Sequence, residues 1–266
     1  MSGTRLDLAL VERGLVASRT KAQRLVARGV VRVNGDVSVK PSTHVETSDL
    51  IDVDEPDVDV GRGATKLRAA LERWSLPVAG ATCVDLGAST GGFTQVLLES
   101  GASAVVAIDV GHDQLHPSIA DDPRVVSWEG QSVLELTPNV WRSRGLPPRI
   151  DVVVADLSFV SLTSVAQAIV ATFGVHSHYA LLVKPQFEVG RGKTSRGVVR
   201  DERLREQALR GVVETWHQAG VPARDVMCSP ITGEKGNVEY LLYASATSSV
   251  HPAEWDGHIP RIDEGG

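Results

Sequence analysis

From residue 64 onward, short apolar runs alternate with segments of helical spacing, and this alternation constrains the fold more than any other feature. The runs include 81-ATCV-84, 152-VVVA-155, 180-ALLV-183 and 238-VEYLLYA-244. Strands are predicted over 81–86, 104–109, 124–128, 151–156, 178–184, 224–228 and 238–243. Helices are predicted over 64–74, 91–100, 113–120, 161–172 and 201–219, and 130–149 has no clear period. Apolar strands alternating with helices imply an α/β domain whose mostly parallel sheet is covered on both faces.

In such a sheet, ligands sit at the carboxyl ends of the strands. The stretch 85-DLGASTGGF-93 lies there, between the first apolar run and the helical 96-VLLE-99. Gly87, Gly91 and Gly92 permit a sharp bend and a close backbone approach. Asp109 ends the second strand, 24 residues after Asp85. A carboxylate so placed suits the hydroxyls of a ribose, which points to an adenosine-type ligand. The glycines run G-x-x-x-G-G instead of the dinucleotide G-x-G-x-x-G. Asp85 would be unfavourable beside a pyrophosphate and favourable beside a cation. S-adenosylmethionine offers an ammonium, a sulfonium and ribose hydroxyls, and no phosphate. The bland alternative is that the glycines only allow tight helix–sheet packing.

Four charged residues share that functional edge. Asp156 follows 152-VVVA-155, Lys184 follows 180-ALLV-183, and Glu239 begins the last strand. Lys66 lies in the first turn of a predicted helix, where a cation opposes the helix dipole. Each alone would ordinarily be a surface charge. Together they suit a ribose hydroxyl, a poor nucleophile at neutral pH. A lysine whose charge is disfavoured by burial and by a neighbouring cation can take the hydroxyl proton, while carboxylates position it. This chemistry needs no metal, and no His/Cys/Asp cluster offers one.

The N-terminal part differs in character. Residues 5–40 hold eight Lys/Arg against three acids, and residues 41–59 hold seven acids and no Lys/Arg. The overall net charge of −6 hides this basic module. The run 6-LDLALVER-13 has helical spacing with Gly14 as its stop, and Ser18 is the expected N-cap of 19-RTKAQRLVAR-28, which Gly29 ends. A strand at 30–33, the Asn34-Gly35 hairpin signal and a strand at 50–53 follow. The composition of 54-DEPDVDVGRG-63 is that of a linker. The expected organisation is a small domain over 1–59, a linker over 60–63, the α/β domain over 64–244 and a disordered tail over 245–266. Cys83 and Cys228 fall in predicted strands and are expected to be buried, reduced thiols. The segment 1-MSGTRLDLAL-10 lacks the apolar core of a signal peptide, and no apolar run nears the ~20 residues that span a bilayer. A cytoplasmic protein without membrane contact is therefore expected.

The segments RLDLALVERGLVASRTKAQRLVARGVVRVNG, GRGATKL, DLGASTGGFTQVLL, DVGHDQL, DLSFVSL, LVKPQFEVGRGK, GVVRD and GNVEYLL carry a resemblance to the TlyA family, also named hemolysin A-like. The resemblance implies a Rossmann-like class I methyltransferase sheet of the FtsJ type behind an N-terminal α+β S4 RNA-binding domain. It implies S-adenosylmethionine-dependent 2′-O-methylation of cytidines in 16S and 23S ribosomal RNA. The family's Lys-Asp-Lys-Glu tetrad falls on Lys66, Asp156, Lys184 and Glu239. Lys184 would be the general base, Lys66 and Asp156 would orient the hydroxyl and tune Lys184, and Glu239 would hold Lys66. The donor would lie on Asp85, Gly87, Ala88, Ser89, Thr90, Gly91, Gly92, Phe93 and Asp109. The hydroxyl would sit between Lys184 and the methyl group for an in-line displacement at the sulfonium carbon.

RNA phosphates are expected at Arg5, Arg19, Lys21, Arg24, Arg28 and Arg32 of the S4-like part, at Arg62, and at Arg191, Lys193 and Arg196 of 191-RGKTSRGVVR-200. The partners implied are ribosomal RNA and ribosomal subunits, bound by a monomer. Phe159 or Phe187 could stack on a flipped base, with core packing the favoured reading for Phe159. Two positions depart from the family pattern: Gly61 stands where serine is frequent, and His112-Asp113 where an aromatic-Gly pair is frequent. The absence of an (N/D)-P-P-(Y/F) motif at 156-DLSF-159 argues against methylation of a base amino group. A membrane-active hemolysin would need a spanning or strongly amphipathic apolar segment, and the sequence offers none. A non-catalytic RNA-binding or assembly factor would leave the tetrad dispensable.

Overall fold

The computed structural model describes residues 3–16, 19–27, 29–38, 40–53, 59–190 and 192–247. The chain divides into two compact units, Met1–Val60 and Gly61–Gly266.

Among the described residues, the larger unit is built on seven strands: β1 (Thr82–Leu86), β2 (Ala104–Ile108), β3 (Val125–Trp128), β4 (Val152–Ala155), β5 (His178–Val183), β6 (Ala223–Cys228) and β7 (Tyr240–Ala244). Their order across the sheet is β6-β7-β5-β4-β1-β2-β3. The ladders β5–β4, β4–β1, β1–β2 and β2–β3 are parallel, as expected from the alternating pattern. β7 runs antiparallel to both β5 and β6. No helix separates β6 from β7, so the chain turns straight back between β6 and β5.

Among the described residues, seven helices complete this unit: α1 (Gly63–Arg73), α2 (Gly92–Glu99), α3 (Pro117–Ala120), α4 (Pro138–Ser143), α5 (Leu162–Phe173), α6 (Pro185–Glu188) and α7 (Glu202–Gln218). The helix expected over 113–120 is reduced to α3. Asp113 takes a left-handed φ of 53°, and Pro117 starts the helix with His116 accepting from the Ser118 N–H. The featureless stretch 130–149 holds a 3-10 turn at Val133–Glu135 and α4, which Thr137 caps. Both are too short to leave a period in the sequence. The core runs through the sheet and its flanking helices, with Val84, Val106, Val153, Leu181 and Leu242 fully buried. Trp141 packs edge-on to Phe173, and Tyr179 edge-on to Trp216. Each large apolar side chain so buried contributes about 1.5–3 kcal/mol.

In the smaller unit, helices Leu6–Glu12 and Arg19–Ala27 share a core with a three-stranded antiparallel sheet, ordered Asp36–Val37, Val31–Val33, Ile51–Val53. The expected hairpin forms at Asn34-Gly35, with φ of 52° and 93°, both positive as a type I′ turn requires. The pairing of Thr4–Arg5 with His44–Val45 was not foreseen, because two-residue strands carry no alternation. Gly14, at φ 69°, follows the first helix as its stop. Ser18, the expected N-cap, lies outside the described residues.

Cys83 is buried, whereas Cys228 is only half-buried, because β6 is an edge strand. Of the expected tail, Ser245 is buried and donates its N–H to the Pro222 carbonyl, and 248–266 lie outside the described residues.

Candidate active site

The carboxyl ends of β1, β2, β4 and β5 converge on one edge. After β1 the backbone turns through Gly87 (φ 82°), Ser89 (φ 47°) and Gly91 (φ 93°). A Cβ on Gly87 would stand 2.7 Å from the Asp156 carbonyl oxygen, so only glycine lets the β1 and β4 exits come this close. Asp109, one residue past β2, accepts the N–H groups of Ser89 and Gly111, each at 2.8 Å. These bonds fix its carboxylate beside a cavity of about 410 Å³ whose lining includes Gly87, Ser89, Asp109, Gln131, Asp156 and Phe159.

Of the residues expected at a donor, Gly87, Ser89 and Asp109 line this cavity; Asp85, Ala88, Thr90, Gly91, Gly92 and Phe93 do not. Asp85 is fully buried in β1, accepting from Thr94 Oγ1 at 2.7 Å. Its Oδ1 has no partner among the described residues. Burial pushes its carboxyl up to about 7, against the Thr94 hydrogen bond and with help from the Asp156 charge. An interior acid behind the turn thus replaces the expected acid facing a cation. Gly92 and Phe93 shape the same turn: a Cβ on Gly92 would stand 3.0 Å from the Ala64 N, and Phe93 is buried. The departure at His112-Asp113 is accommodated locally. Asp113 adopts a conformation that glycine takes without strain, and its N–H bonds Glu129 Oε2 at 2.9 Å.

The four charges singled out in the sequence meet. Lys66 comes from the first turns of α1, Asp156 follows β4, Lys184 caps α6 directly after β5, and Glu239 immediately precedes β7 instead of beginning it. Lys66 Nζ donates to Glu239 Oε2 at 2.7 Å and lies 3.8 Å from Asp156 Oδ2. Lys184 Nζ is 2.6 Å from Asp156 Oδ1. Asp156 therefore bridges the two ammonium groups, one oxygen toward each. Lys66, Lys184 and Glu239 are buried, and two cations beside two carboxylates leave the cluster neutral. Burial of such charges is tolerable only with this degree of pairing. Two members were missed. Ser158 Oγ accepts from Lys184 Nζ at 2.9 Å, and Gln186 Nε2 donates to Glu239 Oε1 at 3.4 Å. Each lies two residues from a singled-out charge, and neither type signals chemistry on its own.

Phe159 overturns the core-packing expectation. It is 89% exposed at φ 65°, and its ring centroid lies 5.3 Å from that of Phe187. The left-handed backbone of the DLSF turn aims the ring outward at the cavity rim.

In the smaller unit, Asp7 is completely buried and receives Arg5 Nε and Nη2, Arg19 Nε and Gln23 Nε2 at 2.8–3.0 Å. Arg5 above all, with Gln23 and Arg19, holds its carboxyl well below the usual carboxylate range, against the opposing effect of burial. Arg5 and Arg19 nevertheless keep 36% and 52% of their side chains exposed. Arg32 Nη1 donates to the Gly35 carbonyl at 3.2 Å. In the larger unit Arg62 Nη2 donates to the Thr232 carbonyl at 2.7 Å, and Lys193 and Arg196 are exposed. Arg28 and Arg191 lie outside the described residues, as do the side chains of Lys21 and Arg24.

A doubly wound sheet with a glycine turn, a fixed acid at the neighbouring strand end and a cavity over both defines the nucleoside-binding α/β class. Comparison with known proteins narrows it. The model of the FtsJ-like methyltransferase family matches residues 60–246, and that of the S4 domain matches residues 4–51. The 16S/23S rRNA (cytidine-2′-O)-methyltransferase TlyA of Mycobacterium tuberculosis is 45% identical over 247 residues, covering 90% of this chain and 88% of that protein. A solved Streptococcus thermophilus protein, described provisionally as a hemolysin, superposes with a TM-score of 0.66 at 34% identity, covering 93% of this chain and 90% of that one. A solved Listeria monocytogenes protein, described provisionally as an S-adenosylmethionine-dependent methyltransferase, shares the fold, with a TM-score of 0.51 at 13% identity over 70% of this chain and 100% of that one. The chain belongs to the FtsJ-like methyltransferase family and carries an N-terminal S4 domain.

Proposed function

We propose that the protein methylates the 2′-hydroxyl of cytidines in ribosomal RNA, with Lys184 as the base. The observation that carries the reading is the neutral chain Glu239–Lys66–Asp156–Lys184, whose Asp156 member opens onto the cavity. The name of the M. tuberculosis relative supports the choice of RNA, base and hydroxyl.

S-adenosylmethionine, when bound, supplies an activated methyl group on a sulfonium. The cavity fits such a donor: Asp109 offers a fixed acceptor for ribose hydroxyls, and Leu86, Ile108, Val133 and Leu157 offer apolar walls. Lys184 first releases its ammonium proton to solvent; as the free amine it takes the proton of the attacking hydroxyl, and Asp156 holds it in place and stabilises the ammonium that forms again. Lys66 and Glu239 fix Asp156 from the other side. The Phe159 ring, with Phe187 behind it, offers a face on which a flipped base can stack. The S4 domain and the segment around Lys193 and Arg196 contact phosphates, which adds affinity without reading sequence. A cytoplasmic monomer acting on ribosomal subunits completes the reading. Among the described residues, no helix is long and apolar enough to cross a membrane.

Mass mapping of ribose methylation in ribosomal RNA, from cells with and without the gene, tests the proposal. Loss of 2′-O-methylcytidine at discrete positions is expected. Identical maps would overturn it, and loss at another nucleotide would overturn the choice of base.

A further inference from the structure

Two segments carry most of the reacting groups. Residues 156–161 join β4 to α5 and bear Asp156, Ser158 and Phe159; residues 184–188 follow β5 and bear Lys184 and Phe187. They touch through Lys184–Asp156, Lys184–Ser158 and the pairing of the exposed Phe159 ring with the half-buried Phe187 ring. In the proposed reaction each of these contacts involves a group that exchanges a proton or meets substrate, so none is independent of the reaction itself.

Glu188 supplies a different link. It ends α6, four residues after Lys184, and reaches across to the start of α5. Its Oε1 accepts the Leu162 N–H at 2.7 Å, and its Oε2 accepts the hydroxyls of Ser161 at 2.6 Å and Thr163 at 3.2 Å. Ser161 is itself the N-cap of α5 and accepts the Thr163 N–H. A carboxylate from 26 residues away thus takes the first free N–H of a twelve-residue helix. The charge-assisted bonds and the positive end of the helix both favour it there.

We propose that Glu188 is a positioning residue, clamping the Lys184–Phe187 turn against the Asp156–Phe159 turn so that base, bridging carboxylate and stacking ring keep one geometry. The inference rests on the reading of Lys184 and Asp156 as the reacting pair. A plain helix cap would affect stability alone. A clamp affects turnover, because a displacement of about 1 Å in reacting groups can cost up to about a hundredfold.

The test uses the purified full-length chain on a ribosomal RNA substrate, with kcat, donor KM and melting temperature measured together. Glu188→Ala should lower kcat about tenfold or more while donor KM stays within about twofold. Glu188→Gln keeps an acceptor for the Leu162 N–H and an amide that can donate to Ser161, and should restore most of the turnover. Ser161→Ala should lower kcat in the same sense, and combining it with Glu188→Ala should add little, since both cut one link. Should Glu188→Ala fail to fold, Ser161→Ala and Glu188→Gln decide. Wild-type kcat in Glu188→Ala, or in Ser161→Ala where it must stand in, overturns the clamp. So does a loss confined to donor KM, or a loss in Glu188→Gln equal to that of the alanine variant. Lys184→Ala runs alongside. Normal turnover there would refute the reacting pair, whereas an inactive Lys184→Ala beside an active Glu188→Ala refutes only the clamp.

Discussion

Lys184 has two polar contacts in the cluster, Asp156 and Ser158, and both of these residues line the neighbouring cavity. Lys184→Ala should therefore lower methylation about 10²–10⁴-fold, the range for loss of a general base. Donor affinity, measured by equilibrium dialysis, should not change, because the donor-side residues of the proposed reaction are Asp109 and the turn. Asp85 yields a prediction of a different kind. Its carboxyl titrates near 7 when folded and near the ordinary carboxylate value when unfolded. The neutral form is the one the fold accommodates. Stability is thus greatest below about pH 4 as far as this group is concerned, declines as pH rises toward 7, and is level above that. Asp85→Asn, which can still accept from Thr94, should remove this decline. Denaturant midpoints between pH 5 and 8 measure it, and an unchanged slope in the variant would count against a buried, titrating Asp85. At this scale the sequence was partly legible. The strand-end positions of Asp156 and Lys184 could be read because charge is unusual directly after an apolar run. Phe159 could not, because its outward aim depends on a positive φ that no neighbouring glycine signals.

Elements were legible where burial imposes a period. β1, β4 and β5 and the helices α1, α2, α5 and α7 fall within a residue or two of expectation. What was not legible is short or tertiary: the one-turn α6 that follows Lys184, the reduced extent of α3, and the antiparallel direction of β7, itself found within two residues of expectation, which depends on a strand partner remote in sequence. The β1–α2 turn is the element on which both halves of the site depend. A methyl at Gly87 would meet the Asp156 carbonyl at 2.7 Å on a backbone at φ 82°. Gly87→Ala should destabilise the larger unit by more than about 1 kcal/mol, since alanine is strained at positive φ. The same shift moves Asp156, so turnover should fall further than donor binding does. Thermal melts and steady-state kinetics on one preparation separate the two effects. A variant with wild-type melting and activity would show that the turn yields more than its close approach implies.

The whole chain carries a net charge of −6, yet its function as proposed requires a polyanion. The resolution lies in distribution. Cations concentrate in the S4 domain and around Lys193 and Arg196 of the methyltransferase domain, on separate compact units. Arg5 and Arg19 are held in place by the buried Asp7. That fixes one side of each guanidinium while both side chains stay partly exposed. Because Arg19 anchors its helix through Asp7, charge reversal there would place two acids together and confound folding with binding. Neutral substitutions avoid this. Removing one phosphate-binding cation should lower the magnitude of the slope of log affinity against log salt by about 0.7–0.9. Arg19→Gln should reduce it by about one such step, and Lys193→Gln with Arg196→Gln by about two. If one RNA engages both units, the reductions add in the triple variant, because the substitutions lie on separate compact units. Filter binding of a ribosomal RNA fragment at several salt concentrations gives all the slopes. Additive reductions would place phosphate-binding groups on both domains. A slope moved only by Arg19→Gln would confine RNA binding to the S4 domain and leave the Lys193–Arg196 segment as ordinary solvated surface.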